Sequence, residues 1–384
     1  MMIFLIAFVF GAFIGSFLNV CIYRLPRNQS VISPPSRCQA CGTRLAWHDN
    51  LPLIGWLLRR GRCRFCGSRF SAQYLLMELA VATITGTIAW WMMGQAPHLA
   101  PVPGGADDAF FWLHHVFPAA APVLGTAAVL VFAWYALVAA MIDLKHEIIP
   151  DELTAPMQVM APLLALVTPF AMRLSGHPLP WFHSPSLFGE PVFHAAAGIA
   201  PVSTVVLITL ALLALSIPVA RRIYARCPAD EAWNDNDHRA FAIGVLWFIA
   251  ATLVAYLLWL TLALVCDGKA SVGGRLATVH GAQILFGALA GWSGLYLVGL
   301  IGTLVLRRNA MGFGDVKFLA PLGAVLGPTG VLYAFLGASM VATIVGVPCY
   351  LWGRSPRIRF GPFLALGTVL ALVLGPWLDQ LLWR

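Results

Sequence analysis

The chain has 384 residues, of which 60% are hydrophobic and only 10% charged, with a formal net charge of +8. A water-soluble domain carries about 25% charged residues, so this balance excludes one and points to an integral membrane protein. Apolar runs of the roughly 20 residues a helix needs to cross a bilayer recur along the chain, while alternating strand-length patterns are absent. That excludes a β-barrel and predicts an all-α, polytopic helical bundle.

The first apolar run, MMIFLIAFVFGAFIGSFLNVCIY, has no basic leading segment and ends in Asn19, Cys21 and Tyr23 rather than in small residues. It reads as a retained membrane helix and not as a cleaved signal peptide. Membrane spans are then predicted near 3–23, 72–94, 121–142, 152–172, 197–219, 240–265, 281–306, 318–334, 335–352 and 360–381, about ten in a range of eight to ten. Residues 318–352 form one apolar stretch interrupted by GPTG, so they divide into two minimal crossings or fold as a re-entrant hairpin.

Arginine placement sets the expected orientation. Nine arginines lie in 24–71, against one acid, Asp49, and none of the 24 Lys and Arg lies in 95–120. By the bias of basic residues toward the cytoplasm, the first loop is cytoplasmic, the second is outside, and so is the N-terminus. Alternation then puts 20 of the 24 basic residues inside, leaving Arg173, Lys269, Arg275 and Arg384 outside. The positive charge is accounted for by topology, and no nucleic-acid partner is needed.

Within that first loop, CQAC and CRFC set Cys38, Cys41, Cys63 and Cys66 as two CxxC pairs separated by 21 residues. Each pair offers two thiolates to one side of a tetrahedron, the pattern of a structural zinc site, and a reducing compartment disfavours disulfides. Four thiolates leave no open coordination position, so this metal folds the loop rather than catalysing. Cys21, Cys227, Cys266 and Cys349 read as small core residues.

Two acids occupy matching places. Asp143 ends the uncharged run from Ala121 to Ile142, and Asp315 stands in GFGD just before Phe318. They are 172 residues apart in sequence yet are expected at one depth on one side of the membrane. Either acid alone fits a solvated helix end beside Lys145 or Lys317. As a pair in a poorly hydrated pocket they cannot both ionise cheaply, so one holds a proton while the other draws a proton from water, the division of labour of an aspartic protease. Gly312 and Gly314 would let backbone approach the acid closely. Asp151, after Pro150, is expected to open the next helix, and Glu78 to pair with loop arginines.

These residues resemble a known family, the bacterial type IV prepilin leader peptidases, members of the GxGD aspartic membrane proteases. The resemblance rests on GAFIGSFLNVCIYRLPR (Gly11–Arg27), the cysteine pairs with the segment between them, YLLMELA (Tyr74–Ala80), IDLKHEIIPDELT (Ile142–Thr154), MGFGDVKFLAPLGAVLG (Met311–Gly327) and FGPFLALG (Phe360–Gly367). It implies a multi-pass protein of the bacterial inner membrane with Asp143 and Asp315 as the catalytic pair. The expected activity removes the basic leader of type IV prepilins, or of the pseudopilins of type II secretion, after a glycine at the cytoplasmic face. Many members then methylate the new N-terminal residue with S-adenosylmethionine, an activity implied by resemblance alone; no residue of this sequence is assigned to that cofactor. The chain divides on this reading into a first helix (1–23), the zinc-binding loop (24–71), helices carrying the first aspartate (72–172), an insertion with two extra helices (173–280), and helices carrying GxGD (281–384). Two extra crossings are an even number, so both aspartates stay on one side. A transporter binding cations at these acids would show internal repeats and acids in mid-span, and a scaffold for pilus assembly would need neither acid.

Overall fold

The computed structural model describes residues 1–94, 120–174, 199–228, 235–266, 272–352 and 359–382. Long helices make up most of it: α1 (Met2–Arg24), α3 (Ala72–Gly94), α4 (Ala120–His146), α5 (Asp151–Leu174), α6 (Ile199–Tyr224), α7 (Asp235–Cys266), α8 (Val272–Leu306), α9 (Phe313–Leu351) and α10 (Phe360–Leu382). A short α2 (Ile54–Leu58) and two 3₁₀ turns lie between α1 and α3. Among the described residues there are no strands, only two isolated bridges, Arg37 with Arg44 and Arg62 with Arg69. The loops expected outside, 95–120 and 173–196, fall almost wholly beyond the described residues, as do Lys269, Arg354, Arg357 and Arg384.

Seven of the described helices are long and apolar enough to cross a membrane, and Phe360–Gly375 is a shorter apolar one. The described residues thus do not confirm the count of about ten. Residues 318–352 do not split into crossings at 334/335: α9 runs through them as one element, broken at Gly327 (φ 70°, ψ 174°). That backbone conformation is accessible essentially to glycine alone, and the following Pro328 donates no N–H. The portion before the break is about 14 residues, near 21 Å as helix, which is too short to cross alone.

The turn between α4 and α5 is specified locally. Lys145 and His146 occupy the last turn of α4, where cations complement the carbonyl end of the helix. Glu147, at φ 58°, leaves the helical path, Pro150 follows, and Asp151 and Glu152 sit in the first turn of α5, favoured at the amide end.

Packing joins the elements into two neighbouring cores. One gathers Leu18, Ile22, Val81, Val138 and Ile142 from α1, α3 and α4. The larger one draws on α4 to α10. At its centre Phe248 of α7 stacks on Trp292 of α8 at 4.3 Å and 7°, and Phe313 of α9 meets the edges of Trp292 (5.4 Å) and Phe241 (4.8 Å). The helices α6 and α7, drawn from the 173–280 segment, thus share a core with the start of α9, and the boundary at 280 falls inside α8. Helices α8 and α9 touch backbone to backbone: a Cβ on Gly287 would lie 2.0 Å from the Gly323 carbonyl oxygen, and one on Gly323 2.2 Å from that of Gly287.

Candidate active site

Asp143 lies in the last turn of α4 and is 7% exposed. Its Oδ2 accepts the N–H of Gly361, near the start of α10, at 3.0 Å. A Cβ on residue 361 would stand 2.7 Å from that same oxygen, so a larger residue there would displace the carboxylate. The start of α10 is fixed by Arg359, which donates to Glu147 Oε1 from Nη2 at 2.8 Å and to the Leu144 carbonyl. The carbonyl of Asp143 is engaged too, by the Glu147 N–H at 2.9 Å.

Asp315 is the third residue of α9, in its first turn, and its N–H donates to the Gly312 carbonyl at 3.2 Å. Asp143 is near enough for its charge to act on Asp315. Three contacts hold the aspartate-bearing segments together. Gly314 abuts Ile149 of the α4–α5 turn, with a Cβ position 3.2 Å from that of Ile149. Lys317, buried, donates from Nζ to Asp151 Oδ1 at 2.5 Å and lies over the Phe313 ring at 4.6 Å. Two turns deeper, the Tyr135 hydroxyl donates to the Phe318 carbonyl at 3.4 Å. Gly312 is exposed, and a Cβ there would lie 3.7 Å from Asp315 Oδ2. Of the two glycines, Gly314 lies where the two segments approach and Gly312 lies on the exposed side next to Asp315.

The four cysteines of the first loop converge. Their Sγ atoms all lie within 4.8 Å of one another, with Cys38 to Cys66 at 3.8 Å and Cys41 to Cys63 at 4.0 Å. Four thiolates at about 2.3 Å from one zinc ion have edges near 3.8 Å, so the donor set fits a tetrahedral metal. The two halves are copies of one turn: Cys38 N–H donates to Thr43 O and Gly42 N–H to Cys38 O, while Cys63 N–H donates to Ser68 O and Gly67 N–H to Cys63 O. Gly42 and Gly67, at φ 71° and 68°, make both turns possible. A hydrogen bond with the Ser68 side chain, helped by backbone N–H groups, lowers the Cys38 thiol to about 6, and Ser68 lowers Cys66 as well. Thiolates are the metal-binding form.

Glu78 departs from its expected role. It is 8% exposed in α3 and accepts the N–H of Leu53 at 2.7 Å, not an arginine. Leu53 has φ 61°, so this carboxylate fastens a left-handed turn of the cysteine loop to the membrane helices. Asp49 pairs with Arg59 at 2.7 Å inside the loop.

Sequence reasoning missed the Gly361 donor, the Arg359 clamp and the Lys317–Asp151 pair. The only available signal was FGPFLALG, a glycine beside an aromatic at a helix start.

The chain matches the model of the bacterial peptidase A24 N-terminal domain over residues 9–92 and that of the type IV leader peptidase family over 206–347. Together these ranges take in the cysteine loop, α8 and GxGD. The chain belongs to the type IV leader peptidase family. Among curated relatives, the prepilin leader peptidase/N-methyltransferase of Myxococcus xanthus is 28% identical over 387 residues, 98% of this chain and 91% of that protein. The protein of the same name from Dichelobacter nodosus is 30% identical over 42% of this chain and 56% of its own length. The Aeromonas salmonicida one is 23% identical over 97% and 91%. No solved structure matches the chain significantly. Asp143 lies between the two matched ranges and Asp315 within the second, while the Myxococcus relative spans both.

Proposed function

We propose that this multi-pass inner-membrane protein is a prepilin leader peptidase in which Asp143 and Asp315 are the catalytic pair. The observation that carries this reading is that Asp143 lies near enough for its charge to act on Asp315, although their helices are far apart in sequence, inside a family whose curated relatives are named for prepilin leader removal. The pair holds one proton between them, as adjacent carboxyl groups in a desolvated pocket do. The ionised carboxylate takes a proton from a water molecule, whose oxygen attacks the scissile carbonyl carbon. The protonated carboxyl donates its hydrogen bond, then its proton, to the carbonyl oxygen. Collapse of the tetrahedral intermediate breaks the C–N bond and the leaving amine receives a proton, restoring the shared-proton state. Gly361 N–H fixes one oxygen of Asp143 throughout, leaving Oδ1 for the water.

The exposed Gly312 side of Asp315 suits an extended peptide, the form in which a peptide bond is attacked. Charge distribution supports a cytoplasmic site, with the cysteine loop on the same side and the N-terminus outside. A substrate with a basic cytoplasmic leader and an apolar helix in the bilayer would present its scissile bond at that level; prepilins and the pseudopilins of type II secretion have this form. Zinc held by Cys38, Cys41, Cys63 and Cys66 folds the loop and takes no part in the cleavage. The relatives' names also carry N-methylation. S-adenosylmethionine would supply the methyl group; the described residues contain no glycine-rich loop joining a strand to a helix, and no step is derived through it.

Co-expression with a type IV prepilin, followed by mass measurement of the pilin N-terminus, tests the reading. Loss of the leader, with a further methyl mass on the new terminus, is expected. An intact leader in the presence of accumulated protein would refute it.

A further inference from the structure

The cysteine loop itself carries a feature that the proposed cleavage does not use. A cavity of about 460 Å³ is lined by Trp56, Arg59, Arg60, Arg62, Arg69 and Phe70, with Ala72, the first residue of α3, at its edge. Arg59 is neutralised by Asp49 at 2.7 Å. Arg60, Arg62 and Arg69 are exposed and have no acidic partner among the described residues. Three uncompensated guanidinium groups around one cavity repel one another unless an anion sits among them. The Trp56 ring forms part of the cavity wall and packs against Gly61, where a Cβ would lie 2.7 Å from the indole. The cavity wall is held by the Phe70 N–H bond to the Gly61 carbonyl at 2.7 Å and by the adjoining Cys63–Ser68 turn.

The surroundings say which anion. Helix α2, next to the cavity, presents Ile54, Leu57 and Leu58 to the outside, Leu58 at 77% exposure. An apolar edge beside an arginine cavity, at the point where α3 enters the membrane, matches the boundary between headgroups and acyl chains. We propose that this cavity binds the phosphodiester headgroup of one anionic phospholipid, with its acyl chains along Leu57 and Leu58. Guanidinium forks engage phosphate oxygens in pairs. A free inorganic anion would leave the apolar edge unexplained. The proposal depends on α3 entering the membrane at Ala72 and not on the roles of the aspartates.

Lipid retention measured by native mass spectrometry on purified, zinc-loaded protein tests it, with titrations of phosphatidylglycerol and phosphatidylcholine. Each arginine near an anionic headgroup is worth about fivefold in affinity, so the triple variant Arg60→Gln, Arg62→Gln, Arg69→Gln is expected to bind phosphatidylglycerol at least tenfold more weakly. Its binding of phosphatidylcholine should be unchanged. The triple Lys variant, which keeps charge and loses the fork, should fall between. Arg307→Gln with Arg308→Gln, exposed on another loop, should bind like the parent chain, and so should Asp143→Asn. Equal retention of phosphatidylglycerol by the parent and both triple variants would overturn the proposal. So would equal affinity for the two lipids, or displacement of phosphatidylglycerol by millimolar inorganic phosphate, which would assign a free-anion site. Zinc content and helical circular dichroism of each variant separate loss of the site from loss of the fold.

Discussion

Gly361 shows how little a decisive contact can announce itself in a sequence. Its N–H, at 3.0 Å from Asp143 Oδ2, is the donor that orients the carboxylate, and a Cβ at 361 would crowd that oxygen at 2.7 Å. Gly361→Ala is therefore expected to lower kcat by about 10- to 100-fold, the value of one hydrogen bond to a charged group, with a smaller change in KM and normal accumulation in the membrane. Steady-state cleavage of a leader-bearing substrate checks this; an unchanged kcat would remove Gly361 from the site. The aspartates and cysteines were legible because each breaks a local rule: an acid at a membrane boundary, or thiols in pairs at fixed spacing. A backbone N–H carries no such mark, so the donor to Asp143 emerges only from the fold. Glu78 shows the converse. Its acidity was visible, but its partner is the N–H of Leu53, which only a left-handed turn presents.

Among the elements, the cysteine loop is the most nearly independent. Cys38→Ser is expected to lower bound zinc from about one ion per chain and to reduce protein level, measured by metal analysis of purified protein. Full zinc content in that variant would contradict the four-thiolate assignment. Gly42→Ala places a Cβ in open space but at φ 71°, so its cost is conformational, about 1 kcal/mol. It should shift thermal unfolding of the loop without abolishing metal binding. The Lys317–Asp151 pair ties α9 to α5 between the two aspartate-bearing turns. Asp151→Asn leaves a buried ammonium with a poorer partner and should lower stability in detergent, while adding Lys317→Met should recover part of the loss, a coupling of about 1 kcal/mol. Additive losses would show that the pair holds nothing. Helix α9 also marks the limit of pattern reading: GPTG correctly signalled an interruption, but an apolar run cannot say whether a break divides two crossings or bends one element, because that depends on what packs against each side. Here α8 lies along the portion before Gly327, with Gly287 against Gly323.

At the scale of the whole molecule, four helices, α5 to α8, separate Asp143 from Asp315 among the described residues. The sequence predicts four crossings there, and an even number would return the chain to the side it left, the condition for two distant acids to meet. The mutual position of the helices was not readable, since α6 and α7 looked like an addition of unknown purpose. Through Phe241 and Phe248, α7 supports Trp292 and Phe313 and hence the turn that carries Asp315, while α6 meets α8 where the Tyr296 hydroxyl donates to Ser216 Oγ at 3.0 Å. The central claim is that the two carboxyl groups act as one catalytic unit, and the cleavage rate of a leader-bearing peptide under single-turnover conditions tests it most directly, using purified parent protein, Asp143→Asn and Asp315→Asn. Residues acting as a unit fail together, so both variants should lose at least 1,000-fold, roughly 4 kcal/mol of transition-state stabilisation, with zinc content and helicity unchanged. A rate within about tenfold of the parent in either variant would contradict the account.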